Sequence, residues 1–269
     1  MTLPDFVCVG AQKAATSWLA QVLQEHPQVW IPPVGEPHFF DRLGRPHRRR
    51  VAVLAERARL DADEPTIADY VDRIQRHPTV SLSWYQDLFT DPRRPGTRGG
   101  DVTPAYLGMD PQRVQSAREL LDDVPVLVVI RRPLDRELSQ LRMWATRRSG
   151  GLTPPRTEGE WAARYELMTR RAPRGRYGSS LPHWQSRFSK VLALPFGDVR
   201  DRPEDLIARV EDHLGIDRYG AYQRLRTTIH RSARAEIPPS VVARARANVE
   251  EDDLYLTEAF GSDFFSRTR

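Results

Sequence analysis

The residues Gly10-Ala11-Gln12-Lys13-Ala14-Ala15-Thr16-Ser17-Trp18-Leu19 combine a small-residue loop with one lysine and two hydroxyls. They follow the apolar run Phe6-Val7-Cys8-Val9 and precede a helical pattern with Leu19, Val22 and Leu23 on one face. A strand, a tight loop and a helix N-terminus in that order form an anion cradle. Backbone N–H groups point outwards, the helix dipole favours negative charge, and Lys13, Thr16 and Ser17 add side-chain donors. Lysine is itself unusual here: of 41 basic residues only Lys13 and Lys190 are lysine. Where arginine serves almost everywhere else, a retained lysine marks a place for a compact ammonium. The nucleotide P-loop pattern fails, because Lys13 comes three residues after Gly10 and no Gly-Lys pair precedes Thr16.

Two further groupings carry chemical meaning. The apolar run Val124 to Ile130 closes on Arg131-Arg132-Pro133, and Ser139 follows on the next predicted helix. In a metal-dependent phosphoryl-transfer enzyme that strand would end in an acidic magnesium ligand. Two arginines suit an anion, and nothing in the pattern calls for a metal. In Glu36-Pro37-His38 a carboxylate and an imidazole stand two residues apart after a short strand, a pair able to take a proton from an acceptor. Each grouping has an ordinary counterpart when read alone: a plain strand-to-helix turn, a surface arginine with an exposed serine, a loop acid with a histidine capping backbone.

These residues need a scaffold, and apolar periodicity supplies one. Strands are predicted at Phe6–Val9, Val29–Ile31, Val124–Ile130 and Val191–Phe196, and helices at Thr16–Glu25, Ile67–Arg76, Gln112–Leu121, Pro133–Thr146, Pro203–Leu214 and Ser240–Glu250. Trp84, Tyr85 and Phe89 are expected to pack inwards, and Gly99-Gly100-Asp101-Val102-Thr103-Pro104 reads as a strand end or turn. Residues 149–157, rich in Gly, Pro, Ser and Thr, read as a loop. Strands alternating with helices predict an α/β fold with a parallel sheet covered on both faces. With 269 residues, the expectation is one domain spanning 1–269.

Composition excludes several classes. No run of eighteen apolar residues is present, so no membrane span is expected, and the early strand leaves no room for a signal peptide, which favours a cytoplasmic protein. The single cysteine, Cys8, permits no intrachain disulfide. The net charge of +5 comes from 41 basic and 36 acidic residues, interleaved except for short runs such as His47-Arg48-Arg49-Arg50. Such a balance reads as a solvated surface with a mild positive field, and no nucleic-acid module is recognisable.

Taken together and in order, the three groupings resemble the sulfotransferases that use 3′-phosphoadenosine 5′-phosphosulfate (PAPS), closest to the bacterial and carbohydrate-modifying branch. Gly10 to Leu19 is similar to that family's 5′-phosphosulfate loop. Arg131-Arg132-Pro133-Leu134-Asp135-Arg136-Glu137-Leu138-Ser139 is similar to its 3′-phosphate motif, and Glu36-Pro37-His38-Phe39-Phe40-Asp41 to its glutamate-containing motif. Asp101 to Tyr106 resembles a fourth segment, with weaker likeness through 177–188 and 191–216. The resemblance implies a P-loop-like α/β sulfotransferase fold and the donor PAPS, whose product is adenosine 3′,5′-bisphosphate, with no metal. It implies a small-molecule or carbohydrate acceptor bearing a hydroxyl or amine, and neither nucleic acid nor membrane as partner. It further implies that Lys13 contacts the bridging oxygen and 5′-phosphate, that Ala14, Ala15, Thr16, Ser17 and Trp18 line the loop around that phosphate, and that Arg131 and Ser139 bind the 3′-phosphate. Glu36 is then the general base, with His38 orienting it or the acceptor. Departures from the family pattern are Ala15 for a glycine (a mild change), Gly35 for a basic residue, Val102 for a lysine and Gly197 for an acidic residue. The competing expectations are a P-loop-type kinase, opposed by the absent Walker lysine and strand-end Asp, and a non-catalytic nucleotide-binding or interaction domain.

Overall fold

A computed structural model describes residues 2–46, 52, 56, 65–90, 96–146, 154–171, 176–227 and 235–269. The basic run His47–Arg50 and residues 149–153 of the predicted loop lie outside the described residues. In chain order the elements begin β1 (Phe6–Gly10), α1 (Thr16–Leu23), β2 (Val29–Trp30), α2 (Phe39–Arg42), α3 (Pro65–Gln75), α4 (Leu82–Leu88), β3 (Arg98–Val102), α5 (Pro111–Leu121) and β4 (Val126–Ile130). They continue α6 (Pro133–Thr146), α7 (Glu158–Arg171), α8 (Tyr177–Gln185), β5 (Val191–Pro195), α9 (Asp198–Asp201), α10 (Pro203–Leu214) and α11 (Pro239–Ser266).

The five strands form one parallel sheet in the order β2-β3-β1-β4-β5. Every residue of β1 and of β4 is buried, as continuous apolar runs at the centre of a parallel sheet require. From β1 the chain leaves towards β2 and β3, and from β4 it leaves towards β5. The sheet therefore has its topological switch between β1 and β4, the crevice where α/β sheets hold ligands at their strand C-termini. Cys8 lies inside β1, fully buried, with its Sγ 3.8 Å from the Gly10 carbonyl; burial pushes its thiol up to about 12. Among the described residues no helix is long and apolar enough to cross a membrane.

Two readings of the sequence change. Residues 99–102, read as a strand end or turn, are the body of β3, paired on both sides by β1 and β2. Gly99 and Gly100 hid the strand because they contribute no apolar side chain, yet packing demands them. A Cβ on Gly100 would lie 2.2 Å from Phe6 and 2.7 Å from Ile31. The last helix, expected over 240–250, continues to Ser266, interrupted at Gly261 where φ is 84°. Its first half packs Val241, Ala245 and Val249 against Leu134 and Leu141 of α6 and Trp161 and Tyr165 of α7, while Leu256 and Phe264 join the main core around the sheet. A helix serving two apolar clusters must be long enough to reach both. Helix α10 spans the expected Pro203–Leu214. Pro203 opens α10, and Gly215, at φ 62°, closes it with amide bonds from Gly215 to Asp212 and from Ile216 to Glu211, both 3.1 Å.

The packing at Gly100 gives a direct test. Gly100→Ala forces a methyl into Phe6 and Ile31 and should cost at least about 1–3 kcal/mol. Gly159→Ala on α7, where nothing lies within 4 Å, should leave the urea midpoint unchanged or slightly higher. Equal midpoints for the two variants would contradict this account of β3.

Candidate active site

Three loops leave the C-terminal ends of β1, β3 and β4 and meet at one edge of the sheet. The first begins where Ala11 N–H donates to the Val129 carbonyl at 2.9 Å, extending the β1–β4 ladder by one residue. Ala14 N–H then donates to the Ala11 carbonyl at 3.1 Å, and the chain turns through Lys13 (φ 72°) and Ala15 (φ 61°) into α1. Left-handed backbone at a residue with a Cβ costs about 1–2 kcal/mol. The alanine at position 15 is therefore less mild a replacement for glycine than its size indicates. Ala15 is also the N-cap of α1, and no side chain caps this terminus. The first intrahelical bond runs from Leu19 N–H to the Ala15 carbonyl at 3.0 Å. The amides of Thr16, Ser17 and Trp18 thus precede any helical partner, the arrangement that receives an anion. Within the loop Ala14 and Thr16 are buried, Lys13 and Ala15 half-buried and Ser17 exposed. The Trp18 side chain faces the core, its indole N–H donating to the Leu225 carbonyl at 3.1 Å, so only its main chain can serve an anion in the loop.

The second loop brings in Arg131. Its guanidinium Nη1 donates to the Lys13 carbonyl at 2.9 Å, and its charged carbon sits 4.5 Å above the Phe196 ring. The Tyr177 hydroxyl accepts from Arg131 N–H at 3.1 Å and donates to the Arg131 carbonyl at 3.0 Å. Burial lowers the Arg131 pKa from its ordinary value, with Asp135 and Tyr177 acting in the opposite sense. The group stays cationic all the same, since arginine titrates far above neutrality. Arg131 Nε is buried and finds no hydrogen-bond partner among the described residues. A buried cationic donor without an acceptor is costly, and an anion between Arg131 and the Lys13 loop would satisfy it. Ser139 lies farther along α6, almost fully buried.

The third loop supports Glu36 and His38. His38 Nε2 lies 3.1 Å from Glu36 Oε2, while Nδ1 lies 3.0 and 2.9 Å from the two oxygens of Asp41. Burial alone pulls the imidazole pKa down. Hydrogen bonds and charge from Asp41 and Glu36 outweigh it, and the value is pushed up to about 9. At neutral pH His38 is an imidazolium with both ring nitrogens donating. Glu36 keeps a side chain 31% exposed, so one oxygen is pinned while the carboxylate still faces solvent.

His38 itself sits at φ 57°, and neighbouring amides hold it there. Phe39 N–H donates to the Tyr106 hydroxyl at 2.7 Å, and His38 N–H makes a longer contact of 3.4 Å to Thr103 Oγ1. Both hydroxyls in turn donate to the fully buried Asp101, Thr103 at 2.6 Å and Tyr106 at 3.0 Å, with Tyr85 adding a third bond at 2.7 Å. Burial pushes Asp101 up to about 6 even against these donors. The same loop abuts the anion loop: a Cβ on Gly10 would lie 2.9 Å from Leu107 Cβ. Asp41 and Asp101 carry roles that spacing alone did not assign. Asp41 stands three residues after His38, which is one available signal. For Asp101 the signal is its place at the head of the segment that resembles the fourth family motif.

The His38 geometry predicts a pH dependence. Its pKa is raised, so its stabilising contribution is complete below about 6.5, the ordinary value, and is lost as pH rises through about 9. The imidazole resonances of His38 should titrate near 9, and Asp41→Asn should bring that midpoint down by about a unit or more. A His38 midpoint near 6.5 in the unmodified chain would remove the imidazolium from the site.

Comparison with known proteins bears on the same region. No curated protein is a significant sequence match. Among solved structures, a sulfotransferase from Alicyclobacillus acidocaldarius superposes with a TM-score of 0.66 at 20% identity, covering 100% of both chains. The sulfotransferase domain of the Synechococcus PCC 7002 olefin synthase gives 0.58 at 15% identity, covering 97% of this chain and 96% of that one. Mouse sulfotransferase SULT7A1 complexed with PAP gives 0.53 at 14% identity, covering 98% and 87%. These likenesses bear on the fold. The model of the sulfotransferase family matches residues 4–220, which take in all three loops, and the chain belongs to that family.

Proposed function

We propose that residues 1–269 form one sulfotransferase domain that moves a sulfuryl group from PAPS to a hydroxyl or amine of a small-molecule or carbohydrate acceptor. The observation that carries the donor assignment is the Arg131–Lys13 contact at the β1–β4 crevice. That contact joins Arg131, whose buried Nε has no partner among the described residues, to the loop that carries Lys13 and leads into the uncapped N-terminus of α1. A nucleotide with phosphates at both 3′ and 5′ positions needs two such anion sites. Lys13 and the amides of Thr16 and Ser17 hold the 5′-phosphate side, and Arg131 with Ser139 the 3′-phosphate. Bound there, the donor supplies a sulfuryl group whose S–O bond to the 5′-phosphate breaks as the acceptor oxygen or nitrogen bonds to sulfur. Positioned cations and amides stabilise the charge that develops on the departing phosphate, a task that requires no metal.

Glu36 takes the acceptor proton. Its carboxylate is the partly open member of the Glu36–His38–Asp41 cluster, and the imidazolium fixes its orientation. A histidine already protonated on both nitrogens has no lone pair for a second proton, which favours Glu36 over His38 as the base.

Calorimetry with adenosine 3′,5′-bisphosphate and adenosine 5′-phosphate tests the donor site. The bisphosphate should bind about tenfold or more tightly, since a charge-assisted contact contributes about 1.5–3 kcal/mol. Equal affinities would overturn the assignment. For catalysis, acceptors are screened by mass spectrometry for the gain of one sulfuryl group, and single-turnover rates are then measured with saturating PAPS. Lys13→Ala should slow transfer about a hundredfold or more. Glu36→Gln should abolish transfer and spare bisphosphate binding, with His38→Ala less damaging. An active Glu36→Gln beside a dead His38→Ala would hand the proton to the imidazole.

A further inference from the structure

Residues 267–269 run across the C-terminal end of β4 and β5, beyond the stretch matched by the family model. Thr268 is fully buried, its hydroxyl donating to the Phe265 carbonyl at 2.7 Å. The Thr268 carbonyl accepts from Arg132 N–H at 2.8 Å, and the Arg267 carbonyl accepts from Gly197 N–H at 2.7 Å. Arg267 Nη1 is anchored to Asp198 Oδ2 at 2.8 Å. Gly197 is what admits this segment: a Cβ there would lie 2.4 Å from the Arg267 carbonyl oxygen and 2.9 Å from that of Arg269. The departure from an acidic residue at position 197 thus has a local cause.

The consequence concerns one peptide unit. The carbonyl of Arg131 and the N–H of Arg132 belong to the same plane. Tyr177 Oη holds the carbonyl edge at 3.0 Å, and the Thr268 carbonyl holds the N–H edge at 2.8 Å. With both edges fixed the peptide cannot rotate, and the direction in which Arg131 leaves the backbone is set. Phe196, whose N–H donates to the Ile130 carbonyl at 2.8 Å, lies next to Gly197 and underlies the Arg131 guanidinium. The segment therefore grips both the backbone of Arg131 and the support of its side chain.

We infer that residues 267–269 are a positioning strap for Arg131, which sets recognition of the donor's 3′-phosphate from outside the motif that binds it. This rests on the donor reading above. The strap bonds to Arg132 and Gly197, on the Arg131 side of the crevice, and meets the Lys13 loop through Arg131 Nη1 on the Lys13 carbonyl, a main-chain contact, so its loss should fall mainly on the 3′-phosphate.

The test compares the full chain, a chain lacking residues 267–269, Gly197→Ala and Arg267→Ala. Each is titrated calorimetrically with adenosine 3′,5′-bisphosphate and adenosine 5′-phosphate, and melted in parallel. In the full chain the bisphosphate should bind about tenfold or more tightly. Removing the strap, or displacing it with Gly197→Ala, should cut that ratio to about threefold or less while 5′-phosphate affinity stays within about twofold. Arg267→Ala, which keeps every backbone bond, should lower the ratio by a smaller factor, and it decides the matter if the shortened chain shows no cooperative melt. A ratio unchanged from the full chain, or a parallel loss of both affinities, overturns the inference and leaves the strap a stability element. A full chain that binds the two nucleotides equally overturns the donor reading and this inference with it.

Discussion

Strands β1 and β4 lie side by side and parallel, yet the chain leaves them in opposite directions. Neither outgoing connection can cross the gap above their C-terminal ends without passing over the other, so a crevice is left there. The Lys13 loop and Arg131 are the first residues on either side of it. Their direct hydrogen bond follows from strand register as much as from side-chain reach. Because β3 is the other neighbour of β1, the loop after it, carrying Thr103 and Tyr106, must come to the same edge. The cluster of Glu36, His38 and Asp41 rests on that loop through the Thr103 and Tyr106 hydroxyls. A single parallel arrangement thus brings the proposed anion site and the proposed proton-transfer site together.

The local cost of this arrangement is concentrated where the chemistry would occur. Among the described residues four with a Cβ have positive φ, and three of them, Lys13, Ala15 and His38, belong to the site. Such backbone persists only when surrounding bonds over-determine it. For His38 those bonds lead through the Thr103 and Tyr106 hydroxyls to Asp101, and the Tyr85 ring stacks on Phe39 with centroids 4.2 Å apart. A buried carboxylate is expensive without donors, and here three hydroxyls serve one. Opposite charges alternate beside it as well, with the buried His38 imidazolium between the Glu36 and Asp41 carboxylates.

Legibility in the sequence divided along the line between local and distant interactions. The anion loop and the arginine after β4 are contiguous patterns, and continuous apolar runs marked β1 and β4, so the parallel α/β architecture could be read directly. β3 could be read only as a strand end or turn, because its glycines answer to Phe6, Ile31 and Phe89, distant in sequence, and leave no periodic trace. The length of α11 was hidden for a related reason: its second half packs on a different cluster from its first, which blurs any single apolar stripe. Around Glu36 and His38 the spacing left open which group takes the proton. Only the placement of Asp41 against the second ring nitrogen weighs between them.

The lone cysteine has a practical consequence. Cys8 sits mid-strand in β1, sealed from solvent, with a thiol that stays protonated at any ordinary pH. A thiolate is the species that reacts with alkylating reagents, so the native chain should be inert to them until β1 itself leaves the sheet. Labelling of this one sulfur then reports the opening of β1, as a rate where alkylation outpaces reclosing and as an open population where it does not. The molecule carries its own unfolding clock, and it also offers a silent background for a reporter cysteine placed anywhere on the surface.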